Sequence, residues 1–235
     1  MATFVLVHGA WHGGWCWKRV RPLLAAKGHE IFTPTLTGGG ERSHLLTRQV
    51  NLETHITDIL NVLRWEELSD VVLCGHSYGG MVIAGVADRV PDRIRSLVYL
   101  DAFVPSHGQS ATDFMPPERV QMFRENARVH GEGWRLPPIT AAAFKVRPEN
   151  QAWVDRQCVP HPLAAFEDKI TLTGGLARVG RRTFVLAEDY SPSSFQSIAA
   201  RLRQDPGWRS VSLPCGHDVM VDMPRELADV LMAAA

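Results

Sequence analysis

A serine side chain attacks a carbonyl only if it stands clear of its neighbours and a base can take its proton. The run Gly75-His76-Ser77-Tyr78-Gly79 meets the first condition. Its two glycines remove side chains where a tight, strained turn would crowd a strand against a helix. Residues 71–74, Val-Val-Leu-Cys, form an apolar strand before the turn, and residues 80–88 read as a helix after it. Strand, turn and helix in that order distinguish a G-x-S-x-G nucleophile from an ordinary glycine-rich turn. The helix N-terminus also points N–H groups and positive dipole at the place where an oxyanion would develop.

Ser77 needs a base, and the candidate is His217 in Pro214-Cys215-Gly216-His217-Asp218-Val219-Met220. That segment lies between the last strand and the last helix. In a doubly wound sheet the loops leaving the carboxyl ends of the strands share one edge, so distant positions such as 77 and 217 can meet there. Most other histidines fall in polar loops or on helices and read as solvated. His8, His12 and His76 lie on the same edge and read as wall residues. The base in turn needs a carboxylate to fix its tautomer. Asp101 ends the apolar strand Ser96-Leu97-Val98-Tyr99-Leu100, a costly place for a carboxylate without a donor partner. Asp189 follows another strand beside Tyr190, Ser191 and Ser193, and its plainer reading is an exposed loop acid. Asp101 is preferred and Asp189 is the alternative. For the oxyanion, the N–H of Ala10, in the loop leaving the first strand, could pair with that of Tyr78.

The elements that must position these groups alternate along the chain. Strands are expected at Thr3–Val7, 30–33, 71–74, Ile94–Leu100, 183–187 and 210–213. Helices are expected at 17–27, ended by Gly28, at 51–63 with Asn51 as cap, and at 80–88, 194–203 and 225–233. Residues 37–43, with three consecutive glycines, are expected to be irregular. The strand at 71–74 is continuously apolar, as a parallel sheet covered on both faces requires. The fold class is therefore α/β, a doubly wound, mostly parallel six-stranded sheet. Residues 104–178 break the alternation with eight prolines and many aromatics. We read residues 1–103 and 179–235 as the core and 104–178 as an inserted helical cap.

Composition narrows the function classes. With 25 Lys+Arg against 25 Asp+Glu, the chain has no basic field for nucleic acid or an anionic membrane. No apolar run approaches the roughly 20 residues of a membrane span, and the first residues lack the pattern of a secretory signal. Cys16, Cys74, Cys158 and Cys215 show no CxxC spacing, so free thiols in a cytoplasmic, reducing compartment are expected. No His/Cys/Asp/Glu cluster has metal-ligand spacing, and the chemistry calls for no cofactor.

The chain resembles the α/β-hydrolases over nearly its whole length. The resemblance rests on His8-Gly9-Ala10-Trp11-His12-Gly13-Gly14-Trp15, on Gly75–Gly79 followed by Gly80-Met81, and on Gly216-His217-Asp218-Val219-Met220 through Pro224. These segments are similar to the plant methyl-esterase and hydroxynitrile-lyase branch. Thr35-Leu36-Thr37-Gly38, Gly40-Glu41-Arg42-Ser43-His44 and Tyr99-Leu100-Asp101-Ala102 resemble small bacterial esterases of that branch more closely still. The resemblance implies Ser77 as nucleophile, His217 as base, and Ala10 and Tyr78 as the oxyanion hole. The plant pattern points to Asp189 as the acid and the bacterial one to Asp101. In the lyases a Thr occupies the position of Gly9 and a Lys follows the base. Gly9 and Asp218 stand there instead, so stabilisation of a leaving cyanide is not expected.

The expected activity is carboxylesterase-type hydrolysis of small to medium apolar or aromatic esters through an acyl-enzyme. Trp11, His12, Phe103, Phe114 and Trp134 are expected to line the substrate pocket. The expected partner is a small-molecule ester, with the chain a monomer or homodimer. The alternatives are an amidase or carbamate hydrolase using the same residues, or a receptor that retains the triad and turns over slowly.

Overall fold

Unbroken apolarity along a strand pays off only if both faces of the sheet are covered, and this chain covers both. The computed structural model describes residues 1–190 and 194–235, so Ser191 and Ser193 lie outside the described residues. Strands β1 (Thr3–Val7), β2 (Glu30–Phe32), β3 (Val71–His76) and β4 (Ile94–Leu100) form one side of the main sheet. A two-residue ribbon, β5 (Arg135–Leu136) with β6 (His161–Pro162), lies apart from it. Strands β7 (Arg181–Ala187) and β8 (Trp208–Leu213) complete the sheet in the order β2-β1-β3-β4-β7-β8. Every pairing in this sheet is parallel. All six residues of β3 are buried, which places the Ser77 turn at the centre of the molecule.

Helices fill the crossovers. They are α1 (Arg21–Ala25), α2 (Leu52–Trp65), α3 (Gly79–Arg89), α4 (Pro117–His130), α5 (Pro148–Gln157), α6 (Leu163–Glu167), α7 (Ser194–Leu202), α8 (Val219–Asp222) and α9 (Pro224–Ala233). Asn51 caps α2 by accepting the Thr54 N–H. The helix buries Leu52, Ile56, Ile59 and Leu63 along one stripe. Complete burial of a side chain such as Ile59 stabilises by about 1.5–3 kcal/mol. That stripe faces α3, which is covered on nearly all sides and packs directly on β3. Among the described residues, no helix is long and apolar enough to cross a membrane.

Two local expectations need correction. Residues 17–27 are not one helix: a 3-10 segment (Gly14–Arg19) precedes the short α1. Pro22 has no N–H to continue an upstream helix and is sterically restricted to a first turn, so the helix restarts there. The glycine-rich stretch is not wholly irregular either, because Gly40–Leu45 is a 3-10 helix. Arg42 holds it by donating to the Thr35 carbonyl at 2.7 Å.

Between β4 and β7 the chain makes α4, α5, α6 and the ribbon. These elements interlock with the loop after β1. The Trp11 indole N–H donates to the Leu136 carbonyl at 3.2 Å, and the Trp11 carbonyl accepts the Val159 N–H at 2.9 Å. At the far end, the buried Asp88 carboxylate of α3 accepts the N–H groups of Thr173, Gly174 and Leu176.

Candidate active site

Ser77 occupies the turn from β3 into α3 with φ +54°, a left-handed conformation that costs a non-glycine residue about 1–2 kcal/mol. Surrounding contacts hold it there. Its N–H donates to the Leu100 carbonyl at 3.1 Å, and its carbonyl accepts the Gly80 and Phe103 N–H groups at 3.0 and 3.2 Å. Both flanking glycines are required by space. A Cβ on Gly75 would sit 2.5 Å from the Gly79 carbonyl oxygen, and one on Gly79 would sit 2.9 Å from those of Val7 and His8. The loop after β1 also presses on the turn, since a Cβ on Gly9 would lie 2.9 Å from Ser77 Cβ.

Asp101 follows β4, is fully buried, and also has a positive φ, +43°. That geometry turns its carboxylate across the end of β7. One oxygen accepts the Ala187 N–H at 3.2 Å, and the other meets His217 Nδ1 at 2.6 Å. Asp189 is exposed, and its backbone N–H donates to the Cys215 carbonyl at 3.0 Å. The structure thus brings His217 to Asp101, and Asp189 serves to hold the histidine's loop. That loop is further fixed by the His217 N–H, which donates to the Phe144 carbonyl at 2.9 Å. The imidazole stacks on Tyr190 and Phe195, with centroids 4.6 and 5.4 Å away.

Burial pushes the His217 imidazole well below its ordinary 6.5, against the pull of the Asp218 charge. Burial likewise pushes the Asp101 carboxyl up, opposed by the Ala187 N–H. The form able to act as a base has Asp101 ionised, a proton on Nδ1, and Nε2 open.

Three more histidines hold the surrounding backbone. The Leu36 N–H donates to His8 Nε2 at 3.0 Å, so the His8 proton is on Nδ1 and is donated to the Gly9 carbonyl at 2.8 Å. That carbonyl shares its peptide plane with the Ala10 N–H. His55 donates from Nε2 to the Thr37 carbonyl and therefore accepts the Tyr78 hydroxyl proton on Nδ1, at 2.9 Å. Among the described residues, no protein acceptor takes the backbone N–H of Ala10 or Tyr78. His12 donates from Nδ1 to the Ala10 carbonyl at 2.8 Å and from Nε2 to Asp218 at 3.1 Å, which requires the protonated ring. Burial alone would lower the His12 pKa, but the Asp218 charge and hydrogen bond raise it above 6.5.

A cavity of about 830 Å³ opens onto Ser77 and His217. Of the residues expected to line it, Trp11, Phe103 and Phe114 do so. His12 does not, because its ring turns away to Asp218. Trp134 does not either: its half-buried ring packs against the guanidinium groups of Arg48 and Arg135 instead. Phe144, Phe166 and Phe195 line the wall instead.

With this geometry in place, residues 4–230 match the family described as alpha/beta hydrolase. The chain belongs to the alpha/beta hydrolase family. It is 50% identical over 240 residues to a carbendazim hydrolyzing esterase of Nocardioides sp. (strain SG-4G), covering 99% of each chain. It is 27% identical over 262 residues to Esterase PIR7B of Oryza sativa subsp. japonica, covering 99% of this chain and 95% of that one. Among solved structures it superposes on an extracellular alpha/beta-hydrolase from a Paenibacillus species with TM-score 0.88. That match has 24% identity and covers 100% of this chain and 99% of the other.

The reading from sequence missed what Asp218 does in this hydrolase. In the sequence it stands out only as the residue in place of the lyases' lysine. The signal was its place beside the base in an apolar run, where an acid needs a partner. Asp218 is fully buried, and although burial works the other way, His12 draws its pKa down to about 2. The signs give a pH window. Asp218 contributes stability above its ordinary 3.8, lost as pH falls toward about 2. His12 contributes fully below 6.5, with loss as pH rises through its raised pKa. Asp218→Asn should therefore cost about 3 kcal/mol in urea unfolding at pH 6, with the deficit shrinking at alkaline pH. A deficit under about 1 kcal/mol at pH 6 would show that the pair contributes little.

Proposed function

We propose that this hydrolase cleaves carboxylic esters of small to medium apolar or aromatic substrates through an acyl-enzyme. One observation carries the reading: the 2.6 Å bond between His217 and buried Asp101, on the wall of the cavity that Ser77 also lines. Ser77 Oγ attacks the ester carbonyl and His217 Nε2 takes its proton. Asp101 holds Nδ1–H and stabilises the imidazolium. The N–H groups of Ala10 and Tyr78, both free of protein acceptors among the described residues, receive the oxyanion. The tetrahedral intermediate collapses, and the alcohol leaves with the proton from His217. Water then attacks the acyl-serine with His217 again as base, releasing the carboxylic acid and Ser77.

We assign residues 104–178 as the cap, since Phe114, Phe144 and Phe166 from that segment wall the cavity. The partner is the ester itself. The free thiols Cys16, Cys74, Cys158 and Cys215 support a cytoplasmic, reducing setting. Carbamates are the second reading, because the same groups serve a carbonyl flanked by nitrogen. The relative at 50% identity makes carbendazim a necessary member of any panel.

Purified protein should be assayed on p-nitrophenyl acetate and butyrate, matched amides and carbamates, and carbendazim. Steady multiple turnover of the esters, ahead of the amides, is the expected result. A single burst without turnover would favour a receptor. Amide or carbamate turnover without ester turnover would overturn the assignment.

A further inference from the structure

Among the described residues, the catalytic groups leave one half-buried charged side chain of the cavity wall without a role. Arg119 lies in the first turn of α4. Asp113, Glu118 and Arg201 also reach the wall, but all three are exposed, whereas Arg119 is half-buried. Its guanidinium carbon lies 5.7 Å from the centre of the Phe123 ring. Nη2 donates to the Tyr190 hydroxyl at 3.4 Å. Nε is buried and, among the described residues, has no hydrogen-bond partner. Nor, among the described residues, does any carboxylate lie within ion-pair distance of this guanidinium.

The guanidinium is half-buried on the cavity wall with no carboxylate to pair it, and a weak bond to the Tyr190 hydroxyl leaves most of its donors unused. An acceptor arriving in the cavity would meet those donors in a partly desolvated setting, where a charge-assisted hydrogen bond is strong. The aromatic wall at Phe103, Phe114 and Phe195 would hold a flat apolar body but offers such an acceptor nothing. Arg119 is also close enough to His217 to act on it: after burial and alongside His12, its charge helps lower the imidazole pKa. The other titratable groups facing that ring are Asp101, Asp218, His76 and Tyr190.

We propose that Arg119 determines specificity by holding a carbonyl or carboxylate oxygen that the substrate carries in addition to its scissile ester. The substrate class is then an aromatic ester bearing a second acceptor, rather than a plain hydrocarbon ester. This inference rests on the ester-hydrolase reading above.

The test uses phenyl acetate and its 3- and 4-substituted acetyl and carboxyl derivatives, with wild type, Arg119→Met and Arg119→Lys. For each enzyme, kcat/KM of a substituted ester is divided by that of phenyl acetate. Comparing this ratio between variants cancels differences in leaving-group reactivity. In Arg119→Met the ratio should fall by about 10- to 100-fold for at least one acceptor-bearing series, chiefly through KM. Arg119→Lys keeps the charge without the planar fork, so a carboxyl ester should retain its ratio within about threefold and an acetyl ester should not. Ratios that move less than about threefold in Arg119→Met would overturn the proposal. So would a Lys variant as impaired as the Met variant on the carboxyl series. If wild type turns over none of these acetates, the ester-hydrolase reading itself fails, and that outcome is distinguishable from the other two.

Discussion

Ser77→Ala should lower ester turnover by about 10³-fold or more while the protein remains folded. The size of the effect follows from the division of labour at the site. On the mechanism proposed above, no acyl-enzyme forms without Oγ, and His217 can only activate water inefficiently against a carbonyl held by Ala10 and Tyr78. The fold should survive because Ser77 is held by its backbone, through Leu100, Gly80 and Phe103. Alanine tolerates φ +54° no worse than serine does, and deletion of Oγ strands no buried partner. Stability should change by no more than about 0.5 kcal/mol. Two measurements check this together. Steady-state kinetics give the loss of kcat. Intact mass after treatment with an organophosphonate should show one adduct on wild type and none on the variant. An adduct on another residue, or a variant that retains full turnover, would remove Ser77 from the nucleophile's role.

The sheet was legible in the sequence because its cause is local and repetitive. Continuous apolar runs at 71–74 and 97–100 have one use in an α/β chain, and the glycines around Ser77 are demanded by backbone oxygens within 3 Å. The break before α1 was less visible because apolar periodicity runs on through Pro22, whose missing N–H decides the matter. The side-chain network was the hardest part to read. That His12 would turn from the cavity to Asp218 depends on two loops far apart in sequence meeting at the sheet edge. Trp134 looked like a pocket aromatic by type. Its ring instead packs against Arg48 and Arg135 and takes no part in the cavity wall. Composition marks residues 104–178 as rich in aromatics, but which rings face the cavity is set by packing among α4, α6 and the loop after β1.

The choice of acid yields the second large prediction. Asp101 satisfies two donors at once, the Ala187 N–H at 3.2 Å and His217 Nδ1–H at 2.6 Å. A carboxylate has an oxygen for each. In Asp101→Asn only one oxygen remains, so the amide NH₂ must face either Ala187 or His217. If it faces His217, it donates to Nδ1, drives the proton to Nε2, and leaves the base in the wrong tautomer; kcat then falls by up to about 10⁴-fold. If it faces Ala187, a buried N–H loses its acceptor at a cost of about 1–3 kcal/mol. Either orientation is costly, and the first should prevail where the stability loss is small. Asp189→Asn changes an exposed group, so kcat should hold and stability should stay within about 0.5 kcal/mol. Both variants should be assayed at a pH above the titration of the His217–Asp101 pair, so that a protonated base does not mask the difference. A crippled Asp189→Asn beside a near-normal Asp101→Asn would instead assign the acid as in the plant branch. If each single variant is mild and only the double variant is inactive, the two carboxylates substitute for each other. The 2.6 Å contact would then be one of two working arrangements, and the assignment to Asp101 alone would fall.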